Sequence, residues 1–179
     1  GIETGMTEKE NKVLGHGTPV ADAVLKVTGK LRYVGDMKLP GMLYGKILFS
    51  PYPHARIVSI DLSEAEKLPG VYAAVCYKDA PEQRYNGNGE DSDILPSERV
   101  FDDKVRYVGD KVAAVAAISE EIAAKALKLI HVEYEELPFY LEPEEAAKED
   151  ACLIHEQGNI LEEVDLSCGN LEEGFAQAD

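Results

Sequence analysis

Hydrophobic and polar positions alternate in short blocks along this chain. Residues 43–50 (LYGKILFS) predict a strand. Residues 55–61 (ARIVSID) predict a second, with Ile57, Ser59 and Asp61 on one face and Arg56, Val58 and Ile60 on the other. Residues 71–77 (VYAAVCY) predict a third. Residues 111–118 (KVAAVAAI) are apolar on both faces and rich in alanine, which suits a strand covered closely on both sides. Residues 132–137 complete the set. Helical spacing is scarcer. Thr18-Pro19 reads as a cap and first helical position ahead of a short helix over 20–27, stopped by Gly29. Ser63 and Glu66 have capping-box spacing, and Pro69-Gly70 closes that helix early. Ser119 precedes a helix whose stripe is Ile122, Ala126 and Ile130, with Ala123 and Leu127 beside it. Pro143 opens one more short helix.

A parallel doubly wound sheet needs a full helix between most strands, and these helices are too few and too short. The pattern predicts an α+β fold with a mixed sheet and two or three short helices. Residues 1–18 read as a mobile lead-in, 19–146 as the folded domain and 147–179 as a connector. The chain starts at Gly1 rather than Met, which suggests a cut form. Residues 81–99 form a long irregular stretch, of the kind that is functional or disordered in compact domains.

Charge narrows the choice of partners. The formal net charge is −16, so the chain lacks the cations that displace counterions from nucleic acid or bind an anionic membrane surface. No apolar run is long enough to span a bilayer. Cys76, Cys152 and Cys168 are odd in number and far apart, which fits reduced thiols in the cytoplasm and neither a zinc site nor a disulfide framework.

Single motifs are weak here. Gly15-His16-Gly17 begins a dinucleotide fingerprint, but Val20 stands where a third small residue is needed. The four histidines, His16, His54, His131 and His155, lack metal-ligand spacing, so no metal site is expected. Glu133, Glu135 and Glu136 sit in an acidic run and read as a solvated face rather than an acid–base pair. Residues 50–56 (SPYPHAR) place His54 in a proline-rich turn, which is either structural or a binding loop. The pentapeptide RYVGD occurs twice, at 32–36 and 106–110. Two short copies do not make a repeat architecture, and one glycine beside an aspartate makes a poor anion nest. Both copies are expected to be turns leading into strands, with no ligand at either.

The ordered series of segments says more than any one of them. It runs 27–30 (VTGK), 32–36 (RYVGD), 39–44 (LPGMLY), 50–61 (SPYPHARIVSID) and 68–71 (LPGV). It continues through 103–109 (DKVRYVG), 112–115 (VAAV), 132–138 (VEYEELP), His155-Glu156 with Gly158-Asn159, and 174–179 (GFAQAD). This series resembles the amino-terminal part of the molybdenum-binding subunit of the xanthine dehydrogenase and aldehyde oxidase family. The resemblance implies an α/β-hammerhead domain. It also implies a parent oxidoreductase that hydroxylates a purine, another heterocycle or an aldehyde with water. Molybdopterin would sit in the downstream region, with iron–sulfur clusters and commonly FAD in partner domains or subunits. The family's cofactor-binding and catalytic segments are absent here, so no catalytic, cofactor-binding or metal residue is expected in this chain. The expected role is to wall the substrate approach and contact partner subunits, with Ile94, Leu95 and Phe101 of the long loop as channel candidates. The alternative is a free-standing binding or regulatory module using the same fold.

Overall fold

The computed structural model describes residues 15, 17, 19–86, 96–166 and 168–178. The chain divides into two compact units, Gly1–Met42 and Leu43–Asp179. The first holds helix α1 (Ala23–Val27) and a single 3-10 turn at Val34–Asp36. Helix α1 is shorter than the expected 20–27, and Asp22 precedes it without a side-chain capping bond.

Among the described residues, the second unit carries six strands. They are β1 (Tyr44–Phe49), β2 (Ala55–Asp61), β3 (Val71–Cys76), β4 (Lys104–Val105), β5 (Lys111–Ala117) and β6 (His131–Glu136). Its helices are α2 (Ser63–Lys67), α3 (Glu120–Leu127), α4 (Pro143–Ala146) and α5 (Leu171–Ala176). The α+β class holds, while the sheet is not mixed. The strands form two antiparallel sheets, ordered β1-β5-β3 and β4-β2-β6. Strands consecutive in sequence always lie in different sheets, so each connection crosses from one sheet to the other. The described residues hold five short α-helices rather than two or three. The one not anticipated, α5 near the end of the chain, has no buried residues.

Both sheets share one core. Ala55, Ile57 and Ile60 of β2 cluster with Val105 of β4, Val112, Ala113 and Val115 of β5, Ala74 and Cys76 of β3, and Ala126 of α3. The alternation read from β2 is corrected here. A register shift between Ile57 and Ser59 makes Val58 an extra residue, so Ile57 and Ile60 both face inward and Val58 faces solvent. Tyr52 and Tyr134 pack ring to ring at 5.0 Å beside this core.

The alanines of β5 behave as their composition suggests. Ala113 and Ala117 are fully buried, and α3 lies across β1, β5 and β3 with Ala123 and Ala126 buried. Ser119 caps α3, its hydroxyl accepting the N–H of Ile122. The expected capping box on α2 is absent. Leu62 takes the cap position and Ser63 is the first helical residue, its N–H donating to the Asp61 carboxylate at 2.9 Å. Gly70 ends the link into β3 at φ +94, where a Cβ would stand 2.8 Å from Ile122 Cδ1.

The opposite face of the first sheet is uncovered among the described residues. Register places Gly45 and Ile47 of β1, Ala114 and Ala116 of β5, and Ala73 and Val75 of β3 together on it. Phe49 continues this row. None of these side chains is polar, and Ile47 and Phe49 are exposed.

Candidate functional site

The neck of the long irregular stretch is closed by an antiparallel bridge. Tyr85 and Glu98 exchange backbone hydrogen bonds of 2.8 and 3.1 Å. Ile94 and Leu95 lie outside the described residues. Phe101 is described, and is only 8% exposed.

Just beyond that neck, Asp102 gathers three guanidinium groups. Arg99 donates to one carboxylate oxygen at 3.0 Å; Arg84 and Arg106 donate to the other at 3.3 and 2.9 Å. The backbone N–H of Asp103 adds a fourth bond at 2.9 Å. Local geometry sets this up. Residue 102 precedes β4, which is fixed by pairing with β2, and the N–H of Ile57 donates to the Asp103 carbonyl at 2.7 Å. Arg99 and Arg106 follow at i−3 and i+4, and Arg84 arrives across the bridged neck.

Burial alone pushes the Asp102 carboxyl up, but the bonds from Arg106 and Asp103 and the charges of Arg106 and Arg84 carry it below its ordinary value. Asp103 moves the other way, raised by burial and then by its bond to Asp102 and that residue's charge. His155 is lowered by burial, then by Arg106, Arg84 and Lys104. Lys104 is lowered by burial and then by Arg106. In a chain of charge −16, this corner gathers positively charged side chains around one buried carboxylate.

The same cluster ties down the start of the expected connector. Lys104 Nζ donates to the carbonyls of Leu153 and Ile154 at 3.1 and 3.0 Å, and Arg106 Nε donates to that of Ile154 at 3.1 Å. Asn159 accepts from the N–H of Ile154 and donates to the carbonyls of Ala146 and Cys152. A cleft of about 170 Å³ opens here, lined by Ser97, Glu98, Arg99, Asp102, Arg106, Tyr107, Asp110, Lys111 and His155. A second of about 250 Å³ shares Ser97 and His155 and continues past Gln157 and Asn159 to Ile160 and Leu161.

The proline-rich turn proves to be structural packing. Ser50 and His54 are buried, and the Ser50 hydroxyl bridges the N–H and carbonyl of Tyr52. His54 Nδ1 lies 2.5 Å from the Pro138 carbonyl, which can only accept, so Nδ1 carries the proton. Nε2 is buried, with no partner among the described residues. Burial lowers the pKa of this histidine more than the Pro138 bond raises it.

The two RYVGD copies share a turn and differ in setting. In each, the aspartate N–H bonds the tyrosine carbonyl, at 3.0 Å for Asp36 and 3.1 Å for Asp110. Gly35 has ordinary φ, whereas Gly109 sits at φ +96. Only the second copy is built into the cleft. Gly109 N–H donates to the Ser50 carbonyl, the Asp110 carbonyl accepts from Ser50 N–H, and Arg106 binds Asp102. The residues read as an acidic solvated face are just that: Arg56 faces Glu135 at 3.9 Å, the Ser59 hydroxyl donates to Glu133 at 3.1 Å, and His131 meets Glu64 at 3.3 Å.

Sequence reading missed the Asp102 cluster. The spacing Arg99-x-x-Asp102-x-x-x-Arg106 was its visible trace, but the contribution of Arg84 depends on the bridged neck. The residues present do not suit the redox centres that the resemblance implies. Among the described residues no group of three metal-ligating side chains converges, and all three cysteines are free, with Cys76 buried.

Two antiparallel sheets share one alanine-rich core with short helices, an arrangement compatible with the α/β hammerhead that the resemblance implies. Comparison with known proteins agrees. Residues 28–138 match the family model described as "Aldehyde oxidase and xanthine dehydrogenase, a/b hammerhead domain". The chain belongs to this family. It is similar to a probable xanthine dehydrogenase subunit of Bacillus subtilis, at 50% identity over 155 residues, covering 86% of this chain and 20% of that protein. It is 39% identical to the xanthine dehydrogenase molybdenum-binding subunit of Escherichia coli O157:H7, covering 88% of this chain and 22% of that one. The aldehyde oxidoreductase of Desulfovibrio gigas superposes with a TM-score of 0.68 at 36% identity, over 77% of this chain and 16% of its own. The chain therefore spans about a fifth of the length of these relatives. No helix among the described residues is long and apolar enough to cross a membrane.

Proposed function

We propose that this chain is a non-catalytic domain of a molybdenum hydroxylase of the xanthine dehydrogenase type, acting on a purine, another heterocycle or an aldehyde, with xanthine the default substrate. Molybdopterin would be held by the remainder of the subunit, and iron–sulfur clusters and flavin by partner domains or subunits. The protein would work in the cytoplasm. The carrying observation is the apolar face of the β1-β5-β3 sheet, uncovered among the described residues, in a chain that spans a fifth of its relatives. A contiguous apolar face of this kind marks a contact surface. Its occupant in this reading is the remainder of the same subunit. The solvent-exposed Leu166, Leu171 and Phe175 lie on the route into it.

The segment 81–101 takes the role of wall to the substrate approach, with Ile94 and Leu95 as its contacts and Phe101, only 8% exposed, as their support rather than a contact. The cofactor supplies the oxygen-transfer and redox chemistry when bound. This chain's part is to shape access and hold the assembly together.

The test has two arms. Phe49→Lys in the full-length protein should leave a subunit that aggregates or fails to assemble; normal assembly would remove the sheet face from the proposal. Leu95→Ala should shift kcat/KM between bulky and small substrates by several-fold, and an unchanged ratio would remove the channel role. The 179-residue chain on its own should turn over neither purines nor aldehydes.

A further inference from the structure

The cleft beside Asp102 is lined by equal numbers of cations and carboxylates, but they are not paired one to one. Arg99, Arg106 and Lys111 line it, facing Glu98, Asp102 and Asp110. Asp110 accepts the backbone N–H groups of Arg106 and Lys111 at 3.0 and 2.8 Å rather than their charged ends. Asp102 is shared by three guanidinium groups at once. Among the described residues, the next acid to reach Arg84 is Glu156 at 3.7 Å, which is 80% exposed and weakly held. Arg99 Nε is buried and has no partner among the described residues, a donor left without an acceptor. Lys111 Nζ donates to the neutral Tyr85 hydroxyl, at 3.0 Å, rather than to a carboxylate. Guanidinium forks and an ammonium converging on a concave surface are suited to the oxygens of a carboxylate or phosphate.

The adjoining cleft supplies the other half of a ligand site. It shares Ser97 and His155 with the first and ends at Ile160 and Leu161. A polar end that offers cationic donors, running into an apolar end, is a usual form of a site for small organic acids. We propose that these two clefts together bind a small organic anion. Its acid group meets Arg99, Arg106 and Lys111, and its apolar body passes His155 toward Ile160 and Leu161. The second RYVGD, read from sequence as a turn without a ligand, thus contributes Arg106 and Tyr107 to the walls.

Isothermal titration of the full-length protein tests this, using benzoate for acid plus body and inorganic phosphate for acid alone. The readout is heat of binding, so it does not depend on turnover or on the molybdenum reading. Benzoate should bind saturably, and phosphate about tenfold or more weaker. Lys111→Gln should weaken benzoate about tenfold, the effect of losing roughly one charge-assisted contact. Leu161→Asp, at a position 60% exposed and so tolerant of change, should also weaken benzoate. Thermal midpoints without ligand should match wild type in both variants. Absence of saturable benzoate binding, or binding indifferent to Lys111→Gln, would overturn the site. Equal affinity for phosphate and benzoate would overturn the role of the apolar cleft.

Discussion

Asp102 and His54 are both buried, and they meet the cost of burial in opposite ways. Asp102 stays charged because three arginines and a backbone N–H surround it. His54 stays neutral, with one nitrogen bonded to Pro138 and the other without a partner among the described residues. Asp102→Asn keeps the shape and removes the charge, leaving three guanidinium groups to repel one another. It should cost about 3 kcal/mol in urea unfolding. His54 gives a pH signature. Its pKa is lower in the folded protein than its ordinary 6.5, so the unfolded chain binds more protons as the pH falls. The stabilisation is complete above that ordinary value and is lost as the pH drops toward the lowered folded one. His155 is shifted in the same direction and shares the window. The urea midpoint should therefore fall as the pH drops below the ordinary value of 6.5, and His54→Gln should make the decline shallower. A slope unchanged by that substitution would return the whole effect to His155. Neither residue's role was legible in the chain itself. A histidine among prolines looks the same whether it faces solvent or core, and Pro138, its partner, is 84 residues away.

At the scale of elements, the sequence was most informative where one strand or helix decides its own conformation. The five longer strands fell within a residue or two of their expected places, because period-two patterning and Pro-Gly or Leu-Pro-Gly turns are local signals. Strand β4 was not legible: two residues carry no period, and Lys104-Val105 extends only because β2 offers it an edge. The phase of β2 was also hidden, since a bulge at Val58 changes which residues face in without changing the alternation of letters. The RYVGD copies allow a paired test. Gly109→Ala forces a side chain into positive φ and should cost about 1–2 kcal/mol, whereas Gly35→Ala, at ordinary φ, should change stability by less than about 0.5 kcal/mol. Equal losses in thermal unfolding would show that the shared pentapeptide imposes one backbone on both sites. Gly70→Ala should cost at least as much as Gly109→Ala, because it adds crowding against the end of the Ile122 side chain and against Ile118 to the same backbone strain.

At the scale of the whole molecule, fold and family were legible because the ordered segments extend over most of the chain. The candidate site was not, because it depends on where the segment 81–101 returns and how residues 152–159 are tied to Lys104 and Arg106. The low aromatic content, 7%, and the many alanines allow two sheets to share one thin core, but they leave one sheet face apolar and, among the described residues, uncovered. Ile47→Lys, on that face, should raise the solubility of the isolated chain while weakening assembly of the full-length protein. Size-exclusion profiles of the two forms would check both halves of that expectation.

The uncovered sheet face also has a colloidal consequence. β1 and β3 are the outer strands of their sheet, so an apolar surface is bordered by two edges that pair with no further strand among the described residues, an arrangement prone to self-association. What opposes this in the isolated chain is mutual repulsion among molecules of charge −16. Salt shortens that repulsion to about 3 Å at 1 M ionic strength. Acid removes it altogether near the isoelectric point of 4.6. The chain by itself should thus be stored at neutral pH and low salt, and its shelf life should fall as ionic strength rises, the reverse of a protein whose surface charges favour association.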